Sequence, residues 1–192
     1  MRKSLAFVLG TTLLLLSSAA LMIGQVDGKA DEVKPAPGKN KAPASPHEMH
    51  SWVVNGKKIS VTFGRPYKKG RVIFGGLEPW GKVWRTGADE ATVFATEADL
   101  MLGSLHVEKG AYSLFTIPNE KEWTLILNKT VKQWGAFSYQ ADQDFGRAPM
   151  KVSKSKTPIE QLTFGIAKKG KDSGVLQIGW DETIASIDLM AH

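Results

Sequence analysis

From Ser45 onwards, apolar and polar residues alternate in short runs. Ile59, Val61 and Phe63 share one face of a segment whose other face carries Lys58, Ser60 and Thr62. That period of two is what a strand half-buried against a core requires. Trp52, Val53 and Val54 precede it, and Asn55-Gly56 between the two runs is the strongest short hairpin signal, because both positions accept the positive φ of a tight turn. Comparable runs recur at Thr92 to Thr96, Ser104 to Val107, Ala111 to Ile117, Trp123 to Asn128, Pro149 to Ser153, Gln161 to Ala167, Val175 to Trp180 and Ile184 to Leu189. Turn residues punctuate them at Lys109-Gly110, Pro118-Asn119, Lys169-Gly170, Ser173-Gly174 and Asp181-Glu182. No window offers a capped, amphipathic helix of several turns. The pattern predicts an all-β fold: a single antiparallel β-sandwich, jelly-roll or Ig-like, of about nine or ten strands over residues 45–192.

Two stretches break the alternation. Gly64 to Thr92 packs three arginines, two tryptophans and a series of glycines into a segment too irregular for one strand, and Lys129 to Ala148 carries Trp134, Gly135, Phe137, Tyr139, Asp142, Asp144, Gly146 and Arg147. Long loops inside a compact domain tend to be functional or disordered, and bulky aromatics argue for the first. The second is expected to fold over the first.

The N-terminal quarter has a different composition. Arg2 and Lys3, an apolar segment from Leu5 to Leu16, and the small residues Ser17, Ser18, Ala19 and Ala20 follow the order of a secretory signal. Residues 1–20 therefore read as a signal peptide, with an uncleaved anchor as the alternative, and residues 21–44 as a disordered Lys/Pro linker. The expected location is periplasmic or extracellular. Ser45 to His192 holds 19 Lys and Arg against 16 Asp and Glu, so the basic character of the whole chain dwindles to +3 in the domain. No nucleic-acid partner is expected, and membrane contact only through the N-terminal segment if it stays uncleaved. The chain has no cysteine, which excludes disulfides, thiol catalysis and Cys-ligated metal sites together.

A set of motifs gives the domain a family likeness: SPHE at Ser45 to Glu48, GRP at Gly64, KGR at Lys69, IFGGL at Ile73, GKVWRTG at Gly81, EAT at Glu90, AYSLFTIP at Ala111, EWTLILNK at Glu122 and QWG at Gln133. With these the chain resembles an uncharacterised family of exported bacterial proteins, the domain of unknown function 2911, over essentially all of Ser45 to Leu189. The resemblance implies an exported single-domain protein with no established activity. It also implies asparagine where this chain has Asp89.

Arginine placement is the sharpest chemical pattern. Apart from Arg2 there are four, Arg65, Arg71, Arg85 and Arg147, each beside or near a glycine in a turn-rich segment, whereas the domain's 15 lysines are scattered. A planar guanidinium suits a carboxylate or phosphate held by two bonds, while lysine suffices for a solvated charge. Glu78, Asp89, Glu90, Asp142 and Asp144 are candidate internal partners. If all four arginines are so paired, they simply pin the loops. An arginine left over, Arg85 or Arg65 first, would meet an anionic small molecule or glycan, with Tyr67, Trp80 or Trp84 as wall. The expected ligand-binding set is Arg65, Tyr67, Arg71, Trp80, Trp84, Arg85, Glu90, Trp134 and Arg147.

Other chemistries find less in the residues. His47 and His50 are three apart in an extended run, which points them to opposite faces, so no metal site is expected. No Gly-x-Ser-x-Gly elbow occurs, and no glycine loop opens a helix, so no nucleophilic serine and no nucleotide cofactor are expected. Two further readings stay open: a hydrolase of envelope carbohydrate using paired acids such as Glu90 and Asp142, and a structural or protein-interaction domain. Trp123 and Trp180 are expected in the core, with Trp52 beside them, while Trp80, Trp84 and Trp134, in or beside the irregular stretches, either cap the open end of the sandwich or form an exposed platform suited to sugar rings.

Overall fold

A computed structural model describes residues 45–192, so the leader and linker read from the sequence lie outside the described residues. Nine strands follow one another: β1 (His47–Val54), β2 (Lys57–Gly64), β3 (Ala88–Thr96), β4 (Leu100–Leu102), β5 (Leu105–Val107), β6 (Gly110–Ile117), β7 (Glu122–Asn128), β8 (Asp144–Lys168) and β9 (Ser173–Ala191). A single 3-10 turn, Ala141–Gln143, is the only helical element among the described residues. All neighbouring strands are antiparallel, in the order β1-β2-β3-β6-β7-β8-β9-β4-β5.

The local rules act as the sequence implies. Asn55 and Gly56 take φ of 50° and 71°, the left-handed pair that lets β1 and β2 turn within two residues. Ile59, Val61 and Phe63 are buried on the inner face of β2. Strand boundaries differ where two expected runs merge. Pro149 to Ser153 and Gln161 to Ala167 are parts of one 25-residue strand, β8, whose pairing with β9 shifts register on both sides of Ile159. Likewise Val175 to Trp180 and Ile184 to Leu189 are both in β9, where Asp181, at φ 53°, bends the chain without reversing it. Arg147 accordingly stands on β8 rather than in a loop. The three residues of β4 are too few to show periodicity, and no run was expected there.

The sandwich takes the form of one sheet folded over on itself. Phe63 of β2 and Phe164 of β8 have ring centroids 4.7 Å apart, although β3, β6 and β7 lie between their strands in the sheet order. The chain leaving β2 then stitches onto β8: Leu162 donates its N–H to Pro66 O at 3.0 Å, Lys68 donates to Glu160 O at 2.6 Å, and Tyr67 bridges Gln161. The fold encloses a core that includes Val61, Phe94, Leu114, Leu125, Leu127, Met150, Leu176 and Ile178. Burying such side chains is worth roughly 1.5–3 kcal/mol each, and it stands in for the missing disulfides. The opposite faces of β3, β6 and β7 bury Ala91, Phe115 and Ile126 under Val83, Ala136 and Tyr139, so β6 and β7 are covered on both sides and read as nearly unbroken apolar runs.

One end of the core is closed by aromatic rings. Phe74 meets Trp123 edge-on at 4.7 Å, and Trp84 stacks on Trp180 with centroids 5.9 Å apart and planes 17° apart. Edge and offset contacts of this kind add about 0.5–1.5 kcal/mol per pair beyond area burial. Trp84 is only 3% exposed, so it belongs to this plug and does not serve as a pocket wall. The irregular segment between β2 and β3 lies over the plug and carries the candidate site.

Candidate anion site beside Arg85

The four arginines divide. Arg65 donates from Nη1 to Glu48 Oε1 at 3.1 Å and from Nε to Leu162 O at 2.9 Å, tying β1 to β8. Arg147 donates from Nε to Asp144 at 2.8 Å and from Nη2 to Tyr139 Oη at 2.8 Å. Tyr139 in turn donates to Asp144 at 2.8 Å, and burial, then this carboxylate, pushes its hydroxyl up to about 12. Arg71 spends two donors on the carbonyls of Tyr67 and Lys68, closing the turn Lys69-Gly70. Arg85 alone has no salt bridge and no side-chain hydrogen bond among the described residues, and its Nε is buried without a partner.

The backbone around Arg85 explains how an unsatisfied guanidinium is held. On one side Trp84 exchanges two backbone hydrogen bonds with Thr116 of β6, at 2.8 and 2.9 Å. On the other, Thr86 is fully buried with φ 56°, a left-handed conformation that a β-branched residue rarely adopts. Its Oγ1 bonds Trp84 O at 3.2 Å and Thr116 Oγ1 at 3.0 Å, and its carbonyl accepts from Thr92 Oγ1 at 2.9 Å. Strain of about 1–3 kcal/mol persists only where the surroundings over-determine it, and such residues cluster at ligand sites. Gly87 and Gly64 follow because nothing larger fits: a Cβ on Gly64 would sit 2.2 Å from Ala88 O.

Arg85 opens into a pocket of about 320 Å³ lined also by Tyr67, Lys69, Arg71, Glu78, Asp89 and Trp180. The indole N–H of Trp180 is buried without a partner, as are those of Trp84 and Trp123 in the aromatic plug. Three cations therefore face two carboxylates. Burial raises Glu78 to about 7, against the pull of Arg85 and then Arg71, so near neutral pH much of it is uncharged and the pocket carries a positive excess.

A second recess of about 390 Å³ adjoins the first, lined by His47, Thr62, Phe63, Glu90, Lys132, Gln133 and Trp134. His47 stands between the two, donating from Nε2 to Asp89 at 3.0 Å and placing Nδ1 3.4 Å from Glu90. The irregular segment before β8 is laced to β3 here, as expected: Ala91 N–H donates to Gln133 O at 2.8 Å, Gly135 N–H to Asp89 O at 2.9 Å, and Glu90 bridges Trp134. The indole of Trp134 is 60% exposed. Asp89 sits at φ 64°, a conformation asparagine takes readily, which gives a physical reason for the residue expected from the family likeness.

The expected site residues thus separate. Tyr67, Arg71 and Arg85 share the first pocket, and Glu90 and Trp134 share the second recess. Arg65 and Arg147 are in internal pairs. Trp80 stacks on Phe74 at 6.1 Å and lines a separate hollow with Asn119, Glu120 and Lys121. Asp142 lies on the 3-10 turn and lines neither recess. His50, for its part, faces Glu48 at 2.9 Å, away from the partners of His47. Lys69, Glu78 and His47 belong with the site although they were outside the expected set. The only sequence signal for Glu78 was its place in the same irregular segment.

The chain belongs to the family described as protein of unknown function (DUF2911), which it matches over residues 45–189. No curated protein and no solved structure matches it.

Proposed function

We propose that the protein is an exported bacterial binding or accessory module whose Arg85 pocket holds an anionic ligand. The observation that carries this reading is Arg85 itself: of four arginines in the domain, it is the one whose guanidinium is left without an acceptor among the described residues, beside a concave pocket. A buried donor without a partner costs about 1–3 kcal/mol, which a bound carboxylate or phosphate recovers through charge-assisted bonds. Arg71 and Lys69 add charge at the rim. The leader pattern of Arg2, Lys3, Leu5 to Leu16 and the small residues to Ala20 supports export.

Calorimetric titration with phosphate, citrate and lactate tests the pocket. Saturable binding that Arg85→Ala abolishes and Lys156→Ala leaves intact is the expected result. Equal binding by Arg85→Ala and the wild type removes the reading. Mass spectrometry of the protein recovered from a bacterial periplasm tests export, with a mature N-terminus after Ala20 expected.

Glu78 favours a second reading, the carbohydrate hydrolase. A glycosidase needs an acid still protonated at working pH, and Glu78, raised to about 7, shares the pocket with the carboxylate of Asp89. The acids would then be these two rather than Glu90 and Asp142. Turnover of cell-wall polysaccharide that disappears in Glu78→Gln is the result this reading requires.

A further inference from the structure

We infer that the recess at Trp134 is a sugar-ring subsite, and that together with the Arg85 pocket it selects saccharides carrying a carboxylate, the uronate class. This rests on the reading of the Arg85 pocket as an anion site. The recess has the parts a pyranose needs. Trp134 offers a flat, 60% exposed indole, although it is laced by its backbone to β3. A large amphipathic ring fixed in place gives stacking area at little entropic cost. Glu90, His47, Lys132 and Thr62 surround it with acceptors and donors suited to hydroxyl groups. Its volume, about 390 Å³, falls in the range of small-ligand sites.

Adjacency supplies the acid. Consecutive residues line the two recesses, Asp89 the first and Glu90 the second, with His47 in contact with both. His47 thus touches a residue of each recess, and a ring on Trp134 would carry its exocyclic carboxylate on the Arg85 side. Phe137, on the same loop, is 90% exposed.

Oligogalacturonate and oligoglucuronate, the methyl ester of each, and lactate as a ring-free acid are the probes, read by calorimetry and tryptophan fluorescence on the intact domain. The uronates are expected to bind and to change the fluorescence. Trp134→Ala should weaken them about tenfold or more while leaving lactate binding unchanged, since an exposed indole can be removed without disturbing the core. Esterification should cost a similar factor, and Arg85→Ala should erase the difference between acid and ester. If lactate binds and Trp134→Ala binds the uronates like the wild type, or no uronate binds, the sugar subsite is wrong and the anion pocket stands. If ester and acid bind alike through Trp134 and lactate binds nowhere, the anion pocket is wrong and with it the uronate class. Adsorption to phosphatidylglycerol vesicles that requires Trp134 and Phe137 would also overturn the proposal.

Discussion

Arg85 and Glu78 face the same pocket without forming an ion pair, yet the guanidinium is near enough to draw the Glu78 carboxyl downward against the burial that raises it. The gap between them is the room a ligand anion would use. It also gives the protein a titratable group in the physiological range.

That titration should be visible in stability. The folded protein holds a proton on Glu78 up to about 7, whereas the unfolded chain releases it near the ordinary glutamate value of 4.5. Between those values the native state binds more protons, so stability falls as pH rises through the interval and is fullest below it. The loss is about 3 kcal/mol at most, and less to the extent that solvent screens this half-buried carboxyl. Thermal melts from pH 5 to 8 should show this decline in the wild type and a flatter profile in Glu78→Gln.

Arg65 and Arg147 should behave as clamps where Arg85 does not. Arg147→Ala strands Asp144, whose side chain is 10% exposed and otherwise accepts only from Tyr139 and Asn128. The expected cost is about 1–3 kcal/mol in urea denaturation, with a smaller loss for Arg65→Ala. Arg85→Ala should not destabilise the unliganded protein and should gain up to about 1 kcal/mol, because it abandons no partner and removes a buried donor that has none.

Gly64→Ala should damage both fold and site. The added methyl would strike the Ala88 carbonyl at 2.2 Å, and backbone cannot yield as a side-chain tip does. A destabilisation of about 2 kcal/mol or more is expected, together with loss of anion binding, as β2 and the start of β3, which carries the Arg85 turn, are pushed apart.

Asp89 separates backbone from charge. Asp89→Asn should keep the melting temperature, since asparagine accepts φ 64° and its amide oxygen still receives the His47 N–H. Asp89→Ala should lose about 1 kcal/mol through the left-handed backbone alone. A melt in which both variants fall equally would show that the carboxylate, not the conformation, matters.

Much of the fold could be read in advance because alternation is local. The β1-β2 hairpin follows from Asn55-Gly56 and from Ile59, Val61 and Phe63, without reference to anything distant. Merging of runs into β8 and β9 could not be read, because a bulge at Ile159 and a bend at Asp181 use the same residues as a reversal. The site was legible as a residue type in a region: arginines near glycines in the segment before β3. Which arginine lacks a partner depends on contacts between residues far apart in the chain, such as Arg65 with Glu48 and with Leu162. Trp84 looked like Trp134 in sequence, both being tryptophans in irregular stretches, but Trp180 covers the first and nothing comparable covers the second.

A strand as long as β8, running from its pairing with β7 to its contact with the chain after β2, leaves the molecule no seam. The two walls cannot part like the covers of a book, because the same rib belongs to each. A guest at Arg85, if the proposed site is right, would enter a recess whose shape is already set, and its affinity would not be spent on assembling the host.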